Sequence, residues 1–445
     1  MKMLLVEPTN IHAGLRSKFR VPPLALGVLA SLTPSDWEVK IVQEPQDNID
    51  FNEDVDLIGI TAATNTVTRG YQIADEFRKR GKKVIMGGIH PTAMPEESLH
   101  HCDCVCIGEA EHIWKTMLSD FKEGKLRKTY KQKMHTDFDS YVPPDRSRMV
   151  FKRSLFFNVA TVETSRGCPY NCDFCSVGLM HGRKIRHRPL KPLLEEIEGL
   201  NTKALFFVDN NIICNPDYSK KLFTEMIPLK KKWAAQATIS MVKNRELMKL
   251  AKASGCFGLL VGIESVVEKG FTQYSKSVKD LEELREALHI LKDHGIAVLG
   301  TMVFGNDFDT HDTIRRSLDN LLTLDLVTAS LGILIPYPGT KIARVFNQEN
   351  RILTNDWSLY DINHLVFKPK EFDYTEFLLE MQNLRRQYFS AANIARRSMS
   401  HAGNSVWYGL GLNLAMKLHN KLDTHPENTV LGEEALVNTP ANKPC

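Results

Sequence analysis

The residues with the most chemistry in this chain lie in one short run, Cys168-Pro169-Tyr170-Asn171-Cys172-Asp173-Phe174-Cys175. Three thiolates at C-x-x-x-C-x-x-C spacing can converge from one loop, each binding one iron of a cubane cluster. Iron–sulfur clusters are usually held by four cysteines. With three, one iron stays open for an exogenous ligand. If the amino and carboxylate groups of S-adenosylmethionine chelate that iron, an electron can pass into the sulfonium. The C–S bond then breaks to give a 5′-deoxyadenosyl radical. Spacing alone leaves a zinc site open as the alternative, because zinc needs a fourth Cys or His and both His181 and His187 follow downstream.

The nine cysteines are an odd number. The N-terminal apolar run is far shorter than a signal peptide needs, and no stretch of ~18 uninterrupted apolar residues is found. A cytoplasmic, reducing compartment is therefore expected, where cysteines serve metals or catalysis rather than a disulfide framework. Cys102, Cys104 and Cys106 recur at period two, which places them on one face of a strand as ordinary core residues. Cys214, Cys256 and Cys445 have no partner that sequence can assign. A net charge of +4 over 445 residues gives no reason to expect a nucleic-acid partner.

The elements that must position the cysteines come in two αβ series. The first has strands at 2–7, 37–42, 57–61, 83–87 and 104–108, with helices such as 24–32 and 69–80 between them. This alternation predicts a doubly wound, Rossmann-like, mostly parallel sheet that binds ligands outside the carboxyl ends of its strands. Residues 123–152 lose any clear period and read as a linker. The second series has strands at 158–164, 204–209, 234–240, 258–264, 297–304 and 329–335. Helices at 191–200, 245–254, 280–293 and 310–322 separate them. Six strand–helix units predict a partial (β/α)6 barrel with its chemistry at the carboxyl ends. Beyond about residue 371 the pattern is helical, over 372–397 and the unusually apolar 406–422. The expected division is thus 1–130, a linker at 131–155, a barrel at 156–370, and a helical cap with a loose tail at 371–445.

The cysteine run, with aromatic Phe174 before the last cysteine, resembles the signature of the radical S-adenosylmethionine superfamily. The likeness continues along the barrel. Phe207-Val208-Asp209-Asn210-Asn211 resembles the acidic turn after the family's second strand, and Gly262-Ile263-Glu264-Ser265 a fourth-strand segment facing the cosubstrate. Pro336-Tyr337-Pro338-Gly339-Thr340 resembles the loop closing the sixth strand. The resemblance implies a [4Fe–4S] cluster on Cys168, Cys172 and Cys175, with Phe174, Asp209 and Glu264 around S-adenosylmethionine. Glu264 suits the ribose hydroxyls or the ammonium group; its plainer reading is a helix-start acid. Asp209 could equally be a turn residue. Lys276 is read as a solvated lysine before a partner of the methionyl carboxylate.

Three loops follow predicted strands of the first series: Thr61-Ala62-Ala63-Thr64, Gly87-Gly88-Ile89-His90-Pro91-Thr92 and Gly108-Glu109. Their glycines allow close approach of a flat ligand, and their hydroxyls offer donors and acceptors. Pro22-Pro23-Leu24-Ala25-Leu26-Gly27 would form an apolar wall. Physics alone leaves a nucleotide, a flavin or a corrin open. The ordered combination ahead of a radical domain resembles the cobalamin-binding domain of the anaerobic magnesium-protoporphyrin cyclase and hopanoid methylase group, which implies cobalamin at Thr61, Thr64, Gly87, Gly88, His90, Thr92, Gly108 and Glu109. The D-x-H-x-x-G motif that supplies a lower cobalt ligand in some cobalamin proteins is absent. His12 stands at a similar place without the aspartate that would orient its ring, so cobalamin is expected without a protein histidine.

The resemblance implies methylation of an unactivated carbon on an apolar, lipid- or tetrapyrrole-like molecule, with a flavodoxin or ferredoxin as external electron donor. An oxidative cyclase with the same cofactors is one rival, and a cobalamin- or redox-sensing protein is another. No residue is assigned a catalytic role beyond the cofactors. The apolar stretch 406–422 is read as a helix packed across the barrel mouth, or else as an interfacial helix touching the inner face of a membrane.

Overall fold

The computed structural model describes residues 1–12, 24–44, 46–132, 134–138, 141–149, 159–274, 277–400 and 405–422. Pro22, Pro23, Lys276 and Cys445 lie outside them. Two compact units are formed: residues 1–210 with 337–344 and 356–360, and residues 211–336 with 345–355 and 361–445.

The first unit is built on strands β1 (Lys2–Glu7), β2 (Glu38–Gln43), β3 (Leu57–Thr61), β4 (Lys83–Gly87), β5 (Cys104–Ile107) and β6 (Thr129–Lys131), in spatial order β2-β1-β3-β4-β5-β6. Every pairing is parallel. Met3 to Val6 are almost wholly buried, the near-continuous apolar run of a strand covered on both faces. Helices Ala25–Leu32 and Trp114–Lys122 cover one face, where Leu26, Ala30, Trp114 and Met117 meet Met3 and Leu5. Helix Val67–Lys79 covers the other, with Val67, Ile73, Ala74 and Phe77 on Leu4, Val6 and Ile58. Fully burying one such side chain is worth about 1.5–3 kcal/mol, so the two-faced core fixes the register of the central strands. The strand order reverses between β1 and β3, which opens a crevice at the carboxyl ends.

Two expectations change here. The run read as an aperiodic linker contains β6, three residues long and anchored by buried Tyr130; three residues are too few to show a period. Cys104 and Cys106 do share a face of β5, but Cys102 precedes that strand and packs in the core on the opposite side.

Later in this unit β7 (Val159–Val162) and β10 (Ala204–Phe207) pair in parallel. Between them β8 (Ser165–Arg166) and β9 (Arg186–His187) pair antiparallel.

The second unit holds β11 (Lys232–Ala237), β12 (Cys256–Glu264), β13 (Ala297–Phe304) and β14 (Thr328–Ile333), each parallel to the next. Helices Pro216–Met226, Arg245–Ala253, Leu281–Asp293 and His311–Leu321 alternate with them, started by side-chain caps from Asn215, Asn244, Asp280 and Thr310. The C-terminal helical stretch divides into Tyr374–Tyr388, Ala391–Ser400 and Ser405–Leu422. The last helix does not cross the barrel mouth. Its fully buried Asn413 donates to the carbonyl of Val327 at 2.7 Å, at the entry to β14 and therefore at the end opposite the mouth.

Candidate active site

The three cysteines sit on a loop closed at its base. Ser165 pairs with His187 and Arg166 with Arg186, so residues 167–185 leave and return at one point. Gly167 makes the closure possible: at φ +93°, any Cβ there would collide with the carbonyl oxygen of Lys184. Inside the loop, the Cys168 N–H donates to Gly182 O at 3.3 Å and the Cys175 N–H to Cys172 O at 3.1 Å. The segment 337–344 props it from outside. The Ile342 N–H donates to Asp173 O at 3.0 Å and Lys341 pairs with the Asp173 carboxylate at 2.9 Å. Cys168, Cys172 and Cys175 are partly exposed, and Phe174 between them is half-buried. Among the described residues, no three His, Cys, Asp or Glu side chains stand close enough to share one metal ion.

A buried carboxylate fixes this loop. Glu109, just past β5 and 3% exposed, accepts from both Arg186 guanidinium nitrogens at 2.7 and 2.9 Å. It also accepts the Thr136 N–H at 2.7 Å and lies 3.0 Å from His181 Nδ1, with Arg166 at 3.7 Å. Burial alone would raise the Glu109 pKa, but the bonds from His181 and Arg186 and the charge of Arg166 hold it well below the usual carboxylate range. Arg166 pairs further with Glu163 at 3.0 Å and Glu111 at 2.5 Å, and lies over the Phe138 ring. His187 is held below its usual pKa by burial. Both histidines considered as zinc ligands therefore lie in or beside this ionic cluster, His181 as a partner of Glu109.

Above the carboxyl ends of β3, β4 and β5 lies a cavity of about 400 Å³. Thr61, Gly87, Gly88, Gly108 and Glu109 line it, as expected from the sequence, and Leu24, Leu26, Val28 and Leu29 form an apolar wall. On the other side it is bounded by Glu163, Arg166, Met180, His181 and Val208. A Cβ on Gly108 would meet nothing within 4 Å, so the floor there is bare backbone. A glycine floor against a leucine wall suits a large flat ring. Three expected residues are not part of its lining. Thr92 Oγ1 accepts the Gly108 N–H at 2.9 Å and so fixes the backbone of the floor there. Thr64 is buried in the turn after β3. His90 is fully buried, its Nε2 3.3 Å from Glu97 Oε1, an oxygen that also accepts from Tyr71 and Trp357 at 2.8 Å each. His12 lies away from the cavity, its Nε2 3.1 Å from Ser358 Oγ.

Asp209, 1% exposed, accepts the Thr164 N–H at 3.0 Å, the Thr164 hydroxyl at 2.6 Å and the Ser165 hydroxyl at 2.5 Å. Burial raises its pKa to about 6, despite those bonds. Both carboxylate oxygens thus hold the turn that leads into the cysteine loop. In the second unit, Glu264 ends β12 at φ +64°, next to a register shift after Gly262. A non-glycine residue there costs about 1–3 kcal/mol, and such strain clusters at functional sites.

Sequence reasoning missed the roles of Arg166 and Arg186. The period-two run Lys184-Ile185-Arg186-His187-Arg188 was the available signal, since alternate basic residues on a short strand need acidic partners.

Comparisons with known proteins identify the chain's relatives. The model of the radical SAM superfamily matches residues 162–319, and that of the B12 binding domain matches residues 13–117. The chain is 31% identical over 370 residues to bacteriochlorophyllide d C-8(2)-methyltransferase of Chlorobaculum tepidum, covering 79% of this chain and 81% of that one. It is 25% identical over 415 residues to hopanoid C-3 methylase of Methylococcus capsulatus, covering 86% and 79%. Among solved structures, the radical S-adenosylmethionine methyltransferase TsrM from Kitasatospora setae, with cobalamin and a [4Fe-4S] cluster bound, superposes with a TM-score of 0.65 at 17% identity over 94% of this chain and 99% of that one. The cobalamin-dependent S-adenosylmethionine radical enzyme OxsB gives 0.68 at 15% identity, over 94% and 72%. A parallel-sheet B12-binding domain ahead of a radical domain, and a relative of this identity over this length, make the chain a member of the cobalamin-dependent radical S-adenosylmethionine methyltransferases, whose cofactors are a [4Fe–4S] cluster, S-adenosylmethionine and cobalamin.

Proposed function

We propose that Cys168, Cys172 and Cys175 hold the cluster, that cobalamin lies on the glycine floor of the cavity, and that the enzyme methylates an unactivated carbon of a tetrapyrrole-like substrate. The single observation that carries this reading is the cavity, with the β3–β5 loops on one side and Arg166, Met180 and His181 of the cysteine-loop region on the other. Two groups that must approach closely for methyl transfer then share one space. The substrate class rests on the relatives, of which two act on bacteriochlorophyllide d.

When bound, the cofactors supply the electron that splits S-adenosylmethionine to a 5′-deoxyadenosyl radical, and the methyl group. The chain's own residues position and exclude. Phe174, half-buried within the cysteine run, borders the cosubstrate in this proposal, and Glu264 accepts from the cosubstrate's ribose or ammonium group. Asp209 and Glu109 hold the two ends of the cysteine loop from buried positions, which argues for positioning rather than for contact with a cofactor. Thr92 sets the height of Gly108, while Leu24, Leu26, Val28 and Leu29 keep water from the upper cavity. A flavodoxin or ferredoxin supplies the electron. Contact with a membrane surface through helix Ser405–Leu422 belongs to the same proposal, supported by an exposed stripe of Gly411, Leu414, Ala415 and Leu418 at helical spacing. Among the described residues, no helix is long and apolar enough to cross a membrane.

The test is anaerobic turnover of protein reconstituted with iron, sulfide and cobalamin, with bacteriochlorophyllide d and methyl-labelled S-adenosylmethionine. Expected products are 5′-deoxyadenosine, S-adenosylhomocysteine and labelled pigment. 5′-Deoxyadenosine without S-adenosylhomocysteine would overturn methyl transfer, and a full complement of iron in a Cys172→Ala variant would overturn the ligand assignment.

A further inference from the structure

We infer that the outer face of the cysteine loop is the docking surface for an acidic one-electron carrier protein, a deepening that rests on the cluster assignment above. Residues 167–185 and 337–344 are joined by the Asp173–Ile342 hydrogen bond and the Asp173–Lys341 ion pair. Together they carry four cationic side chains, Arg183, Lys184, Lys341 and Arg344, against one carboxylate, Asp173. The whole chain, by contrast, has 57 basic and 53 acidic residues, so the excess here is local.

All four cations are exposed, and three are tied to this surface. Arg183 donates to Asn171, within the cysteine run itself. Lys341 meets Asp173 between the second and third cysteines. Arg344 donates to Gly339 O at 3.1 Å. On the same two segments Leu179 is 37% exposed and packs on Gly339. Exposed apolar and cationic side chains together suit a transient protein interface. Cationic rims steer acidic partners and set their encounter rate. The surface also lies beside the three thiols, where an electron has the least distance to travel. In the step it serves, one electron moves from the donor's reduced flavin to the cluster, and the flavin is oxidised by one electron.

The probe is an acidic flavodoxin. Its binding to the unloaded protein is measured by calorimetry for the wild type, for Lys184→Glu/Arg344→Glu, and for a control reversal elsewhere, Lys79→Glu/Lys115→Glu. We expect the rim variant to raise Kd about tenfold or more at low ionic strength, and wild-type affinity to fall as salt rises from ~0.05 to ~0.5 M. Reduction of the reconstituted enzyme by flavodoxin should slow in parallel, while dithionite-driven 5′-deoxyadenosine formation stays at the wild-type level. Equal flavodoxin affinity in the rim variant and wild type, or an equal loss in the control, overturns the docking surface. Absence of dithionite-driven cleavage in the wild type would instead strike the cluster assignment, and the binding experiment reads independently of it.

Discussion

Glu109→Gln offers the sharpest test of how the cysteine loop is held. The substitution keeps the side chain's shape and, with the amide oxygen in the place of Oε2, its bonds from the Thr136 N–H and from Arg186 Nη1. It removes the charge and sets an amide NH2 against Arg186 Nη2 and His181 Nδ1. Arg186, with its side chain 12% exposed, is left with that amide oxygen and the carbonyls of Thr136 and His181 but no counter-charge, whereas Arg166 keeps Glu111 and Glu163. At an effective dielectric of about 20, unit charges about 4 Å apart attract by about 4 kcal/mol. Both Arg186 and, at 3.7 Å, Arg166 lose such a term. Relief from burying a carboxylate returns several kcal/mol, so the net loss is about 3 kcal/mol, felt where the arms of the loop meet. Hydrogen exchange of the β8 and β9 amides reads this directly, and about 3 kcal/mol corresponds to about a hundredfold faster exchange. Amides of β13 serve as the internal reference. The wild type should show the same local loosening in acid. The folded pKa of Glu109 is depressed, so its contribution is complete above about pH 4.5 and is lost as pH falls through the folded value. A change of less than about threefold at β8 and β9 would refute the argument that this carboxylate holds the loop.

Three further outcomes follow from the same geometry. Gly87→Val places two methyls beside Cys106 on the cavity floor, and should lower cobalamin affinity about tenfold or more while iron content is unchanged; spectrophotometric titration measures both. Asp209 has a folded pKa of about 6 against an ordinary 3.8, so between those values the folded state binds more protons. Stability should therefore fall as pH rises through that window, with a slope of up to about 1.4 kcal/mol per unit that Asp209→Asn removes in denaturation curves. Asn413→Ala strips the buried contacts to Val327, Gly409 and Arg397. It should cost about 2–3 kcal/mol locally and expose helix Ser405–Leu422 to limited proteolysis; unchanged cleavage would mean the helix is held by other contacts.

Much of this protein could be read from the residues in order. Hydrophobic runs located β1, β3 and β4 to the residue, because strands buried on both faces leave near-continuous apolar runs bounded by glycine, proline and charge, and the alternating burial of β13 located that strand equally well. The cysteine spacing needed no fold to be recognised, since all three thiols belong to one loop. β6 was not legible, because three residues have no period and its pairing partner decides it. Nor could local sequence tell which side of the sheet Cys102 faces, for that depends on where the strand begins. The position of the last helix was settled by Asn413, a single polar residue in an apolar run whose partner lies 86 residues away.

Sequence by itself determined the alternating elements, the glycine-ended loops and the thiol triad, all of which depend on neighbours within a few residues. Only the tertiary structure decided which acid serves which task. Glu109 and Asp209 each follow a strand, and both lie buried with their oxygens accepting from protein donors. A carboxylate reads the same in sequence whether it meets solvent, a ligand or an arginine. Its role depends on which donors the fold brings to it, and Arg186 comes from 77 residues away.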